Sequence, residues 1–287
     1  MTYSVACRQF SALQMPRCFR TTLDSGNKMP NISVPVRYYH QPRTAYVTEA
    51  DFQLKTLEWD LDVSQITLIL VDVWSDHYVS THLERGRDIT VNRIRPLTDA
   101  FRRMGGTVIH APSPDCAKRY PQWTQFAGDH ETHGRSGKPA DNWPPPDFRS
   151  KTGDYEKFAR PKEPHQQLFH NIIANRDIIP ESRPQEGDHV IVTGDQLHRL
   201  LKHKKILQLF YAGFAANMCV PFRDYGMRAL TDRGYDTILV RDCTSAIEVE
   251  DTFDDFDLTR NAIIDTELTV GYSTTSADLI NASEKAG

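Results

Sequence analysis

A chain of 287 residues with 39% hydrophobic content can build one large α/β domain, or two small ones, around a sizeable core. A net charge of −4 and a pI near 6.3 argue against nucleic acid as the main partner. No apolar run reaches the length of a membrane span, because the longest candidates are strand-sized. The five cysteines (Cys7, Cys18, Cys116, Cys219 and Cys243) are odd in number, scattered and without CxxC spacing. That usage fits a reduced, cytoplasmic protein rather than a disulfide or zinc framework.

Met1–Thr22 carries Arg8, Arg17 and Arg20 but no acidic residue, a composition that transit peptides share, and it lacks the apolar core of a secretory signal. The expectation is a disordered or non-native extension, with translation starting at Met29. Residues 1–61 as a whole read as an N-terminal extension, and 62–287 as the domain.

From residue 66 the chain alternates between short β-branched runs and helical patterns. Ile66–Val71 is a continuous apolar run of the kind buried on both faces of a sheet. Ile89, Ile94, Leu97, Phe101 and Met104 mark a helix over 88–104 that stops at Gly105-Gly106. Further strands are expected at 107–110, 189–193, 206–212 and 237–241. Helices are expected at 197–205, from Cys219 through Phe222, Gly226 and Leu230 to Gly234, and at 256–267. Strand–helix alternation of this kind predicts right-handed crossovers and a Rossmann-like, doubly wound α/β fold. Its sheet would be mainly parallel, of about six strands, with helices on both faces. Between about 111 and 187 the pattern breaks into an irregular insertion with Trp123, Trp143 and Pro144-Pro145-Pro146. Leaving the sheet at a carboxyl strand end, it is placed to form a pocket wall; a surface excursion or an oligomer contact is the plainer alternative.

Ligands of open parallel sheets bind outside the carboxyl ends of the strands. Five such ends deliver Asp72, His110, Thr193, Cys219 and Asp242 to one edge. Cys219 stands where a strand passes through a small-residue elbow into a helix, and a helix N-terminus lowers a thiol's pKa. The plainer reading is a buried small hydrophobe. Asp72 ends an apolar run, where a carboxylate is costly to bury unpaired; it suits a base for the Cys219 proton, or a turn cap. Trp74 and His77 follow closely enough to face the same pocket, though a core Trp and a turn-capping His fit as well.

The runs Leu-Ile-Leu-Val-Asp72, Gly213-Phe-Ala-Ala-Asn-Met-Cys219-Val, Arg228-Ala-Leu-Thr-Asp-Arg-Gly-Tyr235 and Leu-Val-Arg-Asp242-Cys-Thr-Ser245 together resemble the isochorismatase-like cysteine hydrolases. This superfamily includes nicotinamidases and carbamoylsarcosine amidohydrolases, and the resemblance covers about 62–282. It implies an Asp base at Asp72, a Cys219 nucleophile that forms a thioester, and a cis peptide at Phe214–Ala215. That peptide would turn the N–H groups of Ala215 and Cys219 into an oxyanion hole. The family's Lys falls at Thr193, in Gly187-Asp-His-Val-Ile-Val-Thr193. Thr supplies no charge, so another cation (His110, His77, Lys202 or Lys204) would have to serve, the reaction would differ, or the chain would bind a ligand or partner without catalysis. The stretch His110–Asp115 lacks the metal-binding spacing of nicotinamidases. His77, His82, His110, Asp115, His130 and His133 could still cluster in space, but in a chain with eleven histidines most are expected at the surface, and no metal or other cofactor is expected.

The implied function is hydrolysis of a C–N bond in a small amide, ureido or carbamoyl compound. Trp74, His77 and His110 would contact a small-molecule substrate. The family also implies a homo-oligomer, a dimer or tetramer. The competing function is a ligand-binding or scaffold role, and ether hydrolysis of the isochorismatase type is disfavoured by the retained Cys219.

Overall fold

Apolar runs that can be buried on both faces set the sheet. The structure is a computed structural model describing residues 30–123 and 143–286. Its strands are β1 (Asn31–His40), β2 (Gln53–Asp62), β3 (Ile66–Val71), β4 (Thr107–Ala111), β5 (His189–Val190), β6 (Gln208–Phe214), β7 (Asp236–Ser245) and β8 (Tyr272–Thr274). They form one eight-stranded sheet in the order β2-β1-β8-β7-β6-β3-β4-β5. All pairs from β8 to β5 are parallel, and β1 pairs antiparallel with both β2 and β8.

The helices are α1 (Ser80–Ile89), α2 (Arg95–Arg103), α3 (Pro114–Ala117), α4 (Pro146–Ser150), α5 (Gln166–Asn175), α6 (Gly194–Lys204), α7 (Cys219–Phe222), α8 (Met227–Asp232), α9 (Asp257–Asp265) and α10 (Ser276–Ala286). A π turn at Thr90–Ile94 joins α1 to α2, so one long helix replaces the expected 88–104 segment.

The period of two along each strand assigns the faces. Leu68 and Leu70 of β3, Phe210 and Ala212 of β6, and Ile238 and Val240 of β7 pack with Leu97, Phe101 and Leu279 of α2 and α10. Ile69, Val71, Leu209, Tyr211 and Leu239 face the other way, onto Leu197, Leu200 and Leu201 of α6 and Met227 and Leu230 of α8. The sheet is therefore covered on both sides, as a doubly wound fold requires.

Three expectations change. Residues 31–61, read as part of an N-terminal extension, add β1 and nearly all of β2 to the same sheet, and Ile32, Val34 and Val36 enter its core. The strand expected over 189–193 stops at Val190: the Val192 N–H turns to Gln196 Oε1 at 2.9 Å, and Thr193 already caps α6. The single helix expected from Cys219 to Gly234 is broken into α7 and α8. A turn closed by Gly226 N–H to Arg223 O at 2.8 Å separates them.

Strand order reverses between β3 and β6, which lie side by side although far apart in sequence; such a switch point opens a crevice at the carboxyl strand ends. Close approach there depends on Gly213. It pairs with Val71 and with Thr244, has φ +111°, and a Cβ on it would sit 2.0 Å from the Val71 carbonyl oxygen. Gly213→Ala is expected to destabilise the fold by more than about 4 kcal/mol, since backbone would have to move on both counts. Soluble yield and thermal unfolding check this; a variant that melts like the parent would contradict it.

Candidate active site

Asp72 leaves β3 with φ +47°, in the left-handed region that Asp tolerates better than most side chains. Its N–H bonds Ala111 O and its carbonyl takes the Trp74 N–H, which turns the chain sharply at the strand end. Asp72 is 2% exposed. Across the crevice, β6 runs into an elbow whose Phe214–Ala215 peptide is cis. Turn bonds of the elbow are made by the N–H groups of Ala216 (to Ser245 O), Met218 and Val220 (both to Ala215 O). Asn217 ties the elbow to Ile247 through both ends of its amide, at 3.1 Å each. Thr244 Oγ1 donates to Gly213 O at 2.6 Å, and Asp242 caps α10 through Ser276; both are structural.

A cavity of about 230 Å³ opens over the elbow. Asp72, Trp74, His77, Phe214, Ala215 and Cys219 line it, together with Arg176 and Arg223. Cys219 and Asp72 lie against each other. Asp72 Oδ2 accepts Arg223 Nη2 at 3.1 Å, while Oδ1 is buried without a conventional hydrogen bond. That leaves Asp72 with unused acceptor capacity in the crevice that also holds the thiol.

Burial and the adjacent Asp72 carboxylate push the Cys219 thiol up to about 12. The direction is opposite to the one expected from a helix N-terminus. The reason is length: α7 has only four residues and a correspondingly short dipole, so desolvation and a neighbouring negative charge outweigh it. Burial also raises Asp72, against the pull of Arg223. A carboxylate of raised pKa beside a neutral thiol is a stronger base than an ordinary one, so the proton can pass during reaction rather than beforehand.

Two residues expected at the site lie elsewhere. Thr193 is the N-cap of α6, its hydroxyl accepting the Gln196 N–H at 3.2 Å, and it does not line the cavity. His110 is 1% exposed and bonds Asp188, which also takes two bonds from Arg102. Because alternate β4 residues face opposite sides of the sheet, His110 belongs to that buried ion network and not to the substrate space. Lys202 and Lys204 sit at the far end of α6, away from the crevice. The cations beside Asp72 are instead Arg223, one turn after Cys219, and Arg176, from the end of the insertion. Only Arg223 carries a signal in the sequence, a basic residue at i+4 from the cysteine.

Trp74 faces the cavity, with the Arg176 guanidinium stacked 3.3 Å from its ring centroid. His77 Nδ1 accepts the Val79 N–H at 3.0 Å and its ring stacks on Tyr78, so it both caps a turn and lines the wall. His82, which the sequence did not single out for the pocket wall, is pressed down to about 4 by burial and stays neutral near pH 7. Among the described residues no three His, Cys, Asp or Glu side chains converge as metal ligands, and His130 and His133 lie outside them. No described helix is long and apolar enough to cross a membrane.

Fold and crevice together define a doubly wound α/β protein with a cysteine elbow at its switch point. The isochorismatase-domain family model matches residues 67–268, and the chain belongs to the isochorismatase family. Among solved structures it is similar to a cysteine hydrolase from Pseudomonas syringae pv. phaseolicola 1448A, with 19% identity, 80% of this chain and 97% of that one covered, and a TM-score of 0.52. It also matches an N-carbamoylsarcosine amidase from Thermoplasma acidophilum at 18% identity, over 74% of this chain and 96% of that one, with a TM-score of 0.38. Likeness at such identities speaks to the fold alone.

Proposed function

We propose that the chain is a cysteine hydrolase that cleaves a C–N bond in a small amide, ureido or carbamoyl compound. The observation that carries this reading is the buried Asp72 carboxylate, paired to Arg223 on one oxygen and bare on the other, set against the Cys219 thiol at the floor of the cavity. Family membership supports it.

In this mechanism Asp72 takes the Sγ proton as sulfur attacks the substrate carbonyl carbon. The N–H groups of Ala215 and Cys219 receive the developing oxyanion. The tetrahedral adduct collapses to a thioester as the amine leaves with the proton held by Asp72. A water molecule, deprotonated by Asp72, then attacks the thioester; the acid departs and Cys219 regains its proton. Arg223 keeps Asp72 ionised between steps.

Ammonia release from a panel of primary amides, ureido acids and carbamoyl amino acids tests the reading, with release by the intact chain expected for at least one class. No release across the panel would favour a second reading, a ligand-binding protein. One observation speaks for that alternative: a thiol held near 12 is a poor nucleophile unless a substrate triggers proton transfer.

A further inference from the structure

Arg176 is presented to the cavity by a scaffold that the proposed chemistry does not require. It ends α5, and the chain beyond it zips along the segment that follows Asp72. Ser75 N–H bonds Asp177 O at 2.7 Å, Asp177 N–H bonds Ser75 Oγ at 3.2 Å, and Ile179 N–H bonds Val73 O at 3.1 Å. The Asp177 carboxylate accepts from Tyr120 (2.7 Å), Arg183 (3.1 Å) and the Cys116 thiol (3.4 Å). Arg119 donates to the carbonyls of Ala174 and Arg176 at 3.0 and 3.1 Å. The backbone of Arg176 is thus fixed from three directions.

Its side chain is not satisfied to the same degree. One face of the guanidinium covers Trp74, Nε is buried without a hydrogen-bond partner, and among the described residues no carboxylate lies within ion-pair distance. Asp72 is committed to Arg223. With His77 and His82 both pushed toward the neutral form by burial, the charged groups of the cavity are two arginines against one carboxylate, which leaves one positive charge uncompensated. A half-buried cation whose buried Nε has no partner is costly, and the cost is reduced by a ligand of opposite charge. The remaining wall is apolar and aromatic: Ile173, Phe169, Phe214, Met218 and Ile247.

We propose that Arg176 is the anion-recognition residue of this cavity, and that the compound bound there carries a carboxylate on a flat, apolar body. This rests on the cysteine-hydrolase reading for the reacting end of the compound, but not for its anionic end. A carboxylate fits better than a phosphate. The stacked guanidinium offers one fork of donors for two oxygens, and a dianion would leave a surplus negative charge next to Asp72.

Calorimetric titration of benzoate and benzamide into the full chain, Arg176→Gln, Arg176→Lys and Cys219→Ser tests this without any chemistry. The expected result is benzoate bound at least about tenfold tighter than benzamide by the parent and by Cys219→Ser. Arg176→Gln abolishes the preference while benzamide affinity stays within about threefold; Arg176→Lys, which keeps the charge, retains part of it. Benzoate binding no tighter than benzamide, undetectable binding of both included, overturns the proposal. So does a preference that survives in an Arg176→Gln protein with parental circular dichroism. Anion preference without hydrolysis would sink only the enzyme reading; hydrolysis without anion preference would sink only this one.

Discussion

Asp72→Asn is expected to slow hydrolysis by about 10²–10⁴-fold, the range over which a positioned base acts, while making Cys219 easier to ionise. After burial, the Asp72 charge is the largest cause holding the thiol up, and Arg223 works against it. Removing the negative charge leaves Arg223 unopposed, so the thiol pKa falls from about 12 and the thiolate fraction at neutral pH rises. Iodoacetamide should therefore label Cys219 faster in the variant than in the parent, in the same preparations that have lost hydrolysis. Slower labelling together with slower hydrolysis would mean that Asp72 merely holds Arg223 in place. A folding cost is also expected, because Arg223 is 24% exposed at its side chain and would lose its only ion-pair partner among the described residues; about 3 kcal/mol is the scale for breaking such a pair. Thermal unfolding separates that cost from the kinetic effect.

Cys219→Ser is expected to reduce hydrolysis by about 10⁴-fold or more while leaving the cavity able to bind ligands. A serine hydroxyl releases its proton far less readily than a thiol, and a carboxylate base has little driving force to take it. The substitution removes no charge and changes little volume, so stability should shift by less than about 1 kcal/mol. Ammonia release and calorimetry on one preparation check both halves. Retained hydrolysis would move the nucleophile away from the elbow altogether.

The central strands were legible because each is buried on both faces and so reads as an unbroken apolar run: β3 matches its expected bounds, and β4, β6 and β7 overlap theirs. β1 was less so. Its alternation of Ile32, Val34 and Val36 is visible, but Pro35 lies in the middle of it. That proline is tolerated because β1 meets β8 only at Arg37–Ser273, so most of one side of the strand carries no ladder bonds. β8, at three residues, is too short for any period to register.

At the site, Asp72 and Cys219 could be read because strand ends are where a polar residue after an apolar run needs a reason. Arg176 could not. Nothing in the irregular insertion distinguishes it from the other basic residues there, and its position follows from backbone pairing with residues 73–75, a long-range contact with no local pattern. Thr193 and His110 were misplaced for one shared reason. A strand end brings a residue to the ligand edge, but the pleat and the start of the next helix decide whether its side chain turns toward the crevice.

The most direct test of the account is to look for the covalent intermediate. The intact chain would be incubated with p-nitrophenyl acetate, quenched in acid and mapped by mass spectrometry. The account predicts acetylation of Cys219 through a thioester, formed in a burst of p-nitrophenol and absent in Cys219→Ser. A burst of equal size in Cys219→Ser, or acetyl groups found only on other residues, would contradict it.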